Sequence, residues 1–174
     1  MTTFSRLSLG LALIASAVVQ AAPPTETKHL TMAVSSPAVA VAPGGRVSLT
    51  LDVTPKPMMH VYAPGQKGFV PISLTIQADP EITTGAVQFP KAEKLRLNPD
   101  EAAQLVYSKP IRIAQDVTVA ATPAVLDRAR TPGATVIVKG TLRYQACDDT
   151  ICYVPVNVPV AWTIALKPPA RVTP

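Results

Sequence analysis

Polar and apolar residues alternate over several short stretches of this chain. Val47, Leu49, Leu51 and Val53 are separated by Ser48, Thr50 and Asp52, and Ile72, Leu74 and Ile76 by Ser73, Thr75 and Gln77. A period of two puts one set of side chains on each face of an extended backbone, so each stretch predicts a half-buried strand. Thr135–Tyr144 and Tyr153–Leu166 predict two more, rich in Val, Thr and Tyr. Shorter stretches predict weaker strands at His29–Val34, Ala38–Val41, Met59–Tyr62, Ala86–Phe89, Ile111–Ala114 and Val117–Ala120. Turn signals separate them at Pro43-Gly44-Gly45, Pro64-Gly65, Asp79-Pro80 and Pro132-Gly133. The 19 prolines oppose helices, and only Ala124–Arg130 predicts a helical turn. Lys91–Gln104 shows little alternation and predicts a long loop. The pattern is that of an all-β protein, an immunoglobulin-like β-sandwich, with a small barrel as the alternative.

The first stretch of the chain does not belong to this pattern. Met1–Arg6 carries one positive charge, Leu7–Val19 is an apolar and small-residue run of 13, and Val19-Gln20-Ala21 offers small residues where a signal peptidase reads. Such a segment predicts a signal peptide over residues 1–21, cleaved after Ala21. A membrane anchor would need roughly 20 apolar residues. Residues 22–27 then read as a flexible lead-in, 28–166 as the folded domain and 167–174 as a flexible tail. The expected product is exported to the periplasm and is not embedded in the membrane.

The formal charge of +5 falls to +4 without Arg6, with 15 basic against 11 acidic residues. The Lys and Arg residues are scattered among few aromatics, which argues against nucleic-acid binding. There is no Ser/His/Asp set, phosphate loop or paired-carboxylate signature. The chemistry therefore falls to Cys147 and Cys152, placed by export in a compartment where a disulfide persists.

A strand enters at Tyr144-Gln145-Ala146-Cys147, Asp148-Asp149-Thr150 is a turn signal, and Ile151-Cys152-Tyr153-Val154-Pro155 leads out. A four-residue loop puts Cys147 opposite Cys152 in a β-hairpin near the C-terminus, at a spacing a disulfide accepts. Leu142, Tyr144 and Ala146 share one face, so Cys147 faces the other way, while Cys152 shares a face with Val154, Val156 and Val158. That mismatch predicts a bulge or irregular turn at the cysteines. A structural staple here would close so short a loop that it contributes only about 2 kcal/mol, against roughly 4–5 for a loop of a hundred residues. Thiol–disulfide exchange is the other reading, and a hairpin mouth offers one thiol to a partner and a second to resolve the mixed disulfide. Asp148 and Asp149 would raise a thiol pKa or serve only as turn formers.

The segment resembles the N-terminal periplasmic domain of the DsbD family of thiol:disulfide interchange proteins. The resemblance rests on Tyr144-Gln145-Ala146-Cys147, Cys152-Tyr153 and Pro155, with softer matches at His60-Val61-Tyr62, Phe89-Pro90 and Val106-Tyr107, and spans Lys28–Leu166. It implies an immunoglobulin-like sandwich with the cysteines on a hairpin, Cys152 forming mixed disulfides and Cys147 resolving them. It implies periplasmic partners of the thioredoxin-like or disulfide-isomerase kind and, because the chain stops at Pro174, a separate membrane electron conduit. The family's aromatic cap loop falls on Asn98–Gln104, which has no aromatic, leaving Leu97 or Leu105 as a shield. Its acidic residues near the site correspond to Asp100 and Glu101.

The sequence thus predicts an oxidoreductase component that relays electrons through Cys147 and Cys152 with no bound cofactor and no metal. The alternative is a non-catalytic immunoglobulin-like binding module with a structural disulfide. A weaker one is a periplasmic copper-binding protein using Met58-Met59-His60.

Overall fold

A computed structural model describes residues 24–97, 99–100 and 102–169. The expected signal peptide, Glu101 and the last five residues of the expected tail lie outside the described residues. In chain order the described elements are β1 (Thr25–Glu26), β2 (Leu30–Ser35), β3 (Arg46–Pro55), β4 (His60–Tyr62), β5 (Ser73–Ile76), β6 (Ile82–Gln88), β7 (Glu93–Leu95) and β8 (Gln104–Tyr107). They continue with β9 (Ile111–Val119), α1 (Pro123–Arg128), β10 (Thr135–Tyr144), β11 (Ala146–Cys147) and β12 (Val156–Ala165).

The strands form an immunoglobulin-like sandwich. One sheet runs β1-β2-β3-β9-β6, a second β12-β10-β5 and a third β11-β4-β8-β7. β10 alternates exposed and buried residues along its whole length, as its sequence predicts. Its inward set, with Trp162 and Ile164 of β12, packs on Leu49, Leu51, Val53, Ile113 and Val117 in one continuous core. Trp162 crosses that core and donates its indole N–H to Thr50 O at 2.8 Å. Gly140 permits the close packing, because a Cβ there would fall 2.9 Å from Thr75 O and 3.3 Å from the Trp162 ring. Pro159 sits in β12, an edge strand, where a missing N–H costs little.

Several expectations are corrected. Ala38–Val41 forms no strand, and only Val41 makes a bridge, to Leu166. The strands expected at Ile111–Ala114 and Val117–Ala120 are one, β9, which runs through Gln115 and Asp116. Gln115 is tolerated inside because its Nε2 donates to Gly85 O at 2.9 Å, beside a register shift in β6. The loop expected over Lys91–Gln104 contains β7 and the first residue of β8, whose mostly polar residues hid the pairing. The lead-in is tied down from Thr25: β1 pairs with β2, and Thr27 Oγ1 lies 2.9 Å from Tyr144 Oη. β12 begins only at Val156; Val154 and Pro155 stay out of the ladder, while Tyr153 N donates to Ala146 O at 2.9 Å beside the cysteine bridge. α1 forms where a helical turn is predicted, with Thr122 as its N-cap.

Candidate functional site: the cysteine hairpin

The last regular pair between β10 and β12 is Tyr144 with Val156, and the next bridge joins Cys147 to Cys152. The chain advances three residues on the incoming side and four on the outgoing side. One extra residue therefore bulges among Tyr153, Val154 and Pro155, which is the irregularity the facing pattern predicts. At the same point the incoming strand changes sheets. Ala146 and Cys147, as β11, pair with Val61 and His60 of β4. Gln145 pins the switch: its Nε2 donates to Tyr153 O at 3.1 Å and its Oε1 accepts from Val70 N at 3.0 Å. This change of sheet lets Ala146 and Cys147 both be buried although they point to opposite faces.

Asp148 builds the turn. Its Oδ1 accepts from Thr150 N at 2.7 Å and Ile151 N at 2.8 Å, and its Oδ2 accepts from the Tyr153 hydroxyl at 3.0 Å. The amides of Ile151 and Thr150 hold its carboxyl below the usual range, so it stays ionised. Asp149 is exposed at the tip.

The two sulfurs are bonded, with Cα atoms 4.1 Å apart. Their surroundings differ sharply. Cys147 is 0% exposed and packs with Tyr62 and Val106 in a small core of its own, whereas Cys152 is exposed. Tyr62 Oη lies 3.4 Å from Cys147 Sγ and 3.5 Å from Cys152 Sγ. Burial pushes the Tyr62 hydroxyl up, so it stays protonated and can donate to either sulfur. Phe69, from the loop between β4 and β5, stacks on Tyr62, and with Leu97 and Gln104 it lines a cleft of about 130 Å³ over the disulfide. Ile151 and Val154, on either side of Cys152 in sequence, are 53% and 82% exposed. An exposed sulfur bordered by exposed aliphatic residues is a surface that another protein can cover.

The remaining candidates are placed as follows. Tyr144 is buried away from the sulfurs, its hydroxyl on Thr27. Tyr153 packs on His29, ring centroids 4.4 Å apart, beneath the Lys28 ammonium. Pro155 is half-buried in the bulge. Asp100 is exposed, and the cleft over the disulfide is lined by other residues. Leu97 lines the cleft, while Leu105 packs on the main core. Phe69 escaped the sequence reading, and its one signal there was an aromatic among the turn residues Pro64, Gly65, Gly68 and Pro71. Tyr62 was visible only as the end of the predicted strand Met59–Tyr62 and as part of a soft family match. Among the described residues, no group of three or more His, Cys, Asp or Glu side chains is placed to hold a metal ion.

The family model for the N-terminal part of thiol:disulfide interchange protein DsbD matches residues 29–161. Among solved structures, the N-terminal periplasmic domain of ScsB from Proteus mirabilis is similar at 12% identity and a TM-score of 0.52, covering 85% of this chain and 51% of that one. The DsbD N-terminal domain of Neisseria meningitidis, solved in its reduced form, aligns at 20% identity and a TM-score of 0.43, covering 70% of this chain and 78% of that one. No curated protein sequence matches the chain. A family match over more than half of the sequence, centred on a fold and a cysteine hairpin that chain and geometry present independently, gives the assignment: this chain belongs to the DsbD N-terminal domain family.

Proposed function

We infer that this protein relays reducing equivalents between partner proteins by thiol–disulfide exchange at Cys147 and Cys152. The observation that carries the reading is the asymmetry of one bonded pair: Cys152 is exposed and Cys147 fully buried on adjacent arms of a hairpin. In the reduced protein, Cys152 as thiolate attacks a partner's disulfide and releases one partner thiolate. Cys147 then attacks Cys152 Sγ, restores the internal disulfide and releases the second partner thiolate. Two electrons pass to the partner, and a reductant of the same chemistry reverses the sequence. The hairpin needs no refolding for this, because its turn is held by Asp148 rather than by the sulfurs. The partners are periplasmic thioredoxin-like or disulfide-isomerase proteins, supplied by a membrane electron conduit. Family membership supports that place. So does the exposed aliphatic border at Ile151 and Val154, which suits a protein surface better than a small thiol.

Trapping tests this. A Cys147→Ser variant, once reduced, captures a thioredoxin-like partner through Cys152 as a mixed disulfide stable without reductant. Cys152→Ser captures none. A redox titration adds an independent reading: a relay pair equilibrates at about −200 to −270 mV, whereas a structural bridge lies below about −300 mV. A folded Cys147→Ser protein that captures nothing, with a wild-type potential in the structural range, refutes the relay and leaves a binding module.

A further inference from the structure

We propose that His60 is the base that takes the proton of Cys147 when Cys147 resolves a mixed disulfide, an inference that rests on the exchange activity inferred above. Cys147 and His60 are directly opposed across the β11–β4 pair. Directly opposed residues project from the same face, with Cβ atoms about 4.5–5.5 Å apart. His60 is 2% exposed, and its Nε2 has no hydrogen-bond partner while the sulfurs are joined. A buried ring nitrogen without a partner is costly and calls for an explanation. The exchange cycle supplies one. In the disulfide Cys147 has no proton to share; in the mixed disulfide it is a thiol, and the opposed His60 ring, turned toward it, gains a donor.

The other groups around Cys147 do not serve. Tyr62 lies on the same face, edge-on to His60 with ring centroids 5.6 Å apart, and its protonated hydroxyl can stabilise a thiolate but cannot accept the proton. Asp148 is occupied by the turn amides. The charged groups that act on His60 are Asp149 and Asp148 in the turn. Burial lowers the His60 pKa, which keeps the ring neutral and able to accept at neutral pH, while Asp149 and Asp148 favour its charged form once the proton arrives.

In the step itself, the Cys147 S–H bond breaks and its proton moves to His60 Nε2. The thiolate electron pair forms the bond to Cys152 Sγ. The bond from Cys152 Sγ to the partner's sulfur breaks, and its pair leaves on that sulfur, which is thereby reduced. The His60 proton then passes to the departing thiolate or to water. Cys147 and Cys152 end oxidised as the internal disulfide.

Oxidised glutathione serves as the probe disulfide, with acid quenching and mass spectrometry to follow the glutathione adduct on Cys152. In the wild type the adduct resolves quickly at pH 7. In His60→Gln it accumulates, and resolution slows about ten- to thirtyfold, because a free thiol is only a few per cent thiolate at that pH. The defect shrinks as pH rises through the thiol pKa, which a merely structural defect would not do. Equal rates and pH profiles in the two proteins overturn the proposal. Should the variant fail to fold, the unmodified protein decides: the titration midpoint of His60 by NMR shifts on reduction of the disulfide, and an identical midpoint in both states overturns the proposal. If the wild type forms no adduct and Cys147→Ser also traps none, the exchange activity itself fails and the role of His60 with it.

Discussion

The Phe69 ring lies flat on Tyr62, centroids 4.0 Å apart and planes within 16°, above the hydroxyl that touches both sulfurs. Phe69 belongs to the loop between β4 and β5, so the aromatic cover of this disulfide comes from outside Asn98–Gln104, where the resemblance put the cap. The cover is half-buried and rests on a single stack and the edge of the cleft. Phe69→Ala should open the site. An aromatic pair contributes about 0.5–1.5 kcal/mol, so reduction by dithiothreitol should speed up about two- to tenfold. Stopped-flow reduction of wild type and variant measures this, and equal rates would show that Phe69 covers nothing that matters.

Tyr62→Phe keeps the stack and removes only the hydroxyl. A hydrogen bond to a charged group contributes about 1.5–3 kcal/mol, and 1.36 kcal/mol corresponds to one pKa unit. The Cys152 thiol pKa in the reduced protein should therefore rise by about one unit or more. The pH dependence of alkylation by iodoacetamide reads it directly, and an unmoved profile would remove Tyr62 from the chemistry.

Stability should fall as the solution is acidified from pH 7.5 to 5. His29 has both ring nitrogens buried without partners, and burial, then Lys28 and Lys56, hold its pKa below the ordinary 6.5. His60 is lowered as well, by burial. Between the lowered folded value and 6.5, the unfolded chain binds more protons than the folded one. Stability from these groups is thus complete above that range and is lost as pH drops through it. Carboxylates held low, such as Asp52 on Arg112, lose their contribution only below their ordinary 3.8. In urea titrations His29→Leu should raise the midpoint at pH 7, since it removes two unpaired buried nitrogens, and should flatten the slope between pH 5 and 7.5. A variant with the wild-type slope would contradict this account.

Met58 is the one non-glycine residue with positive φ among those described, at 64°, and it is 76% exposed. It follows Pro57 in a turn closed by Met59 N to Lys56 O at 2.9 Å, where glycine is the favoured residue. The left-handed conformation costs an L-residue about 1–2 kcal/mol, part of which glycine's extra freedom in the unfolded chain takes back. Met58→Gly should gain about 0.5–1 kcal/mol by chemical denaturation. A loss of stability would show that the Met58 side chain makes a contact worth more than the strain.

Much of this protein could be read from its order of residues. β10 coincides with its predicted span, and β3 and β5 lie within two residues of theirs, because period-two alternation is a local property that burial of one face enforces. The cysteine hairpin was legible for the same reason: its turn chemistry, and the mismatch of faces that required a bulge, lie within a dozen residues. The fused strand β9 was not legible, since Gln115 is stable inside only because Gly85 O is there to receive it.

The sequence by itself determined the sandwich, the pair Cys147 and Cys152, and their meeting across a short turn. Only the tertiary structure decided which sulfur faces the solvent, that Tyr62 reaches both from 85 positions upstream of Cys147, and that Phe69 stacks on Tyr62 at the cleft beside them. The physical reason is the change of sheet at Gln145. It turns Cys147 inward against β4, and whichever residues β4 and its loop bring become the site's neighbours. Local periodicity records the face a residue takes on its own strand and carries no information about what another strand will set against it.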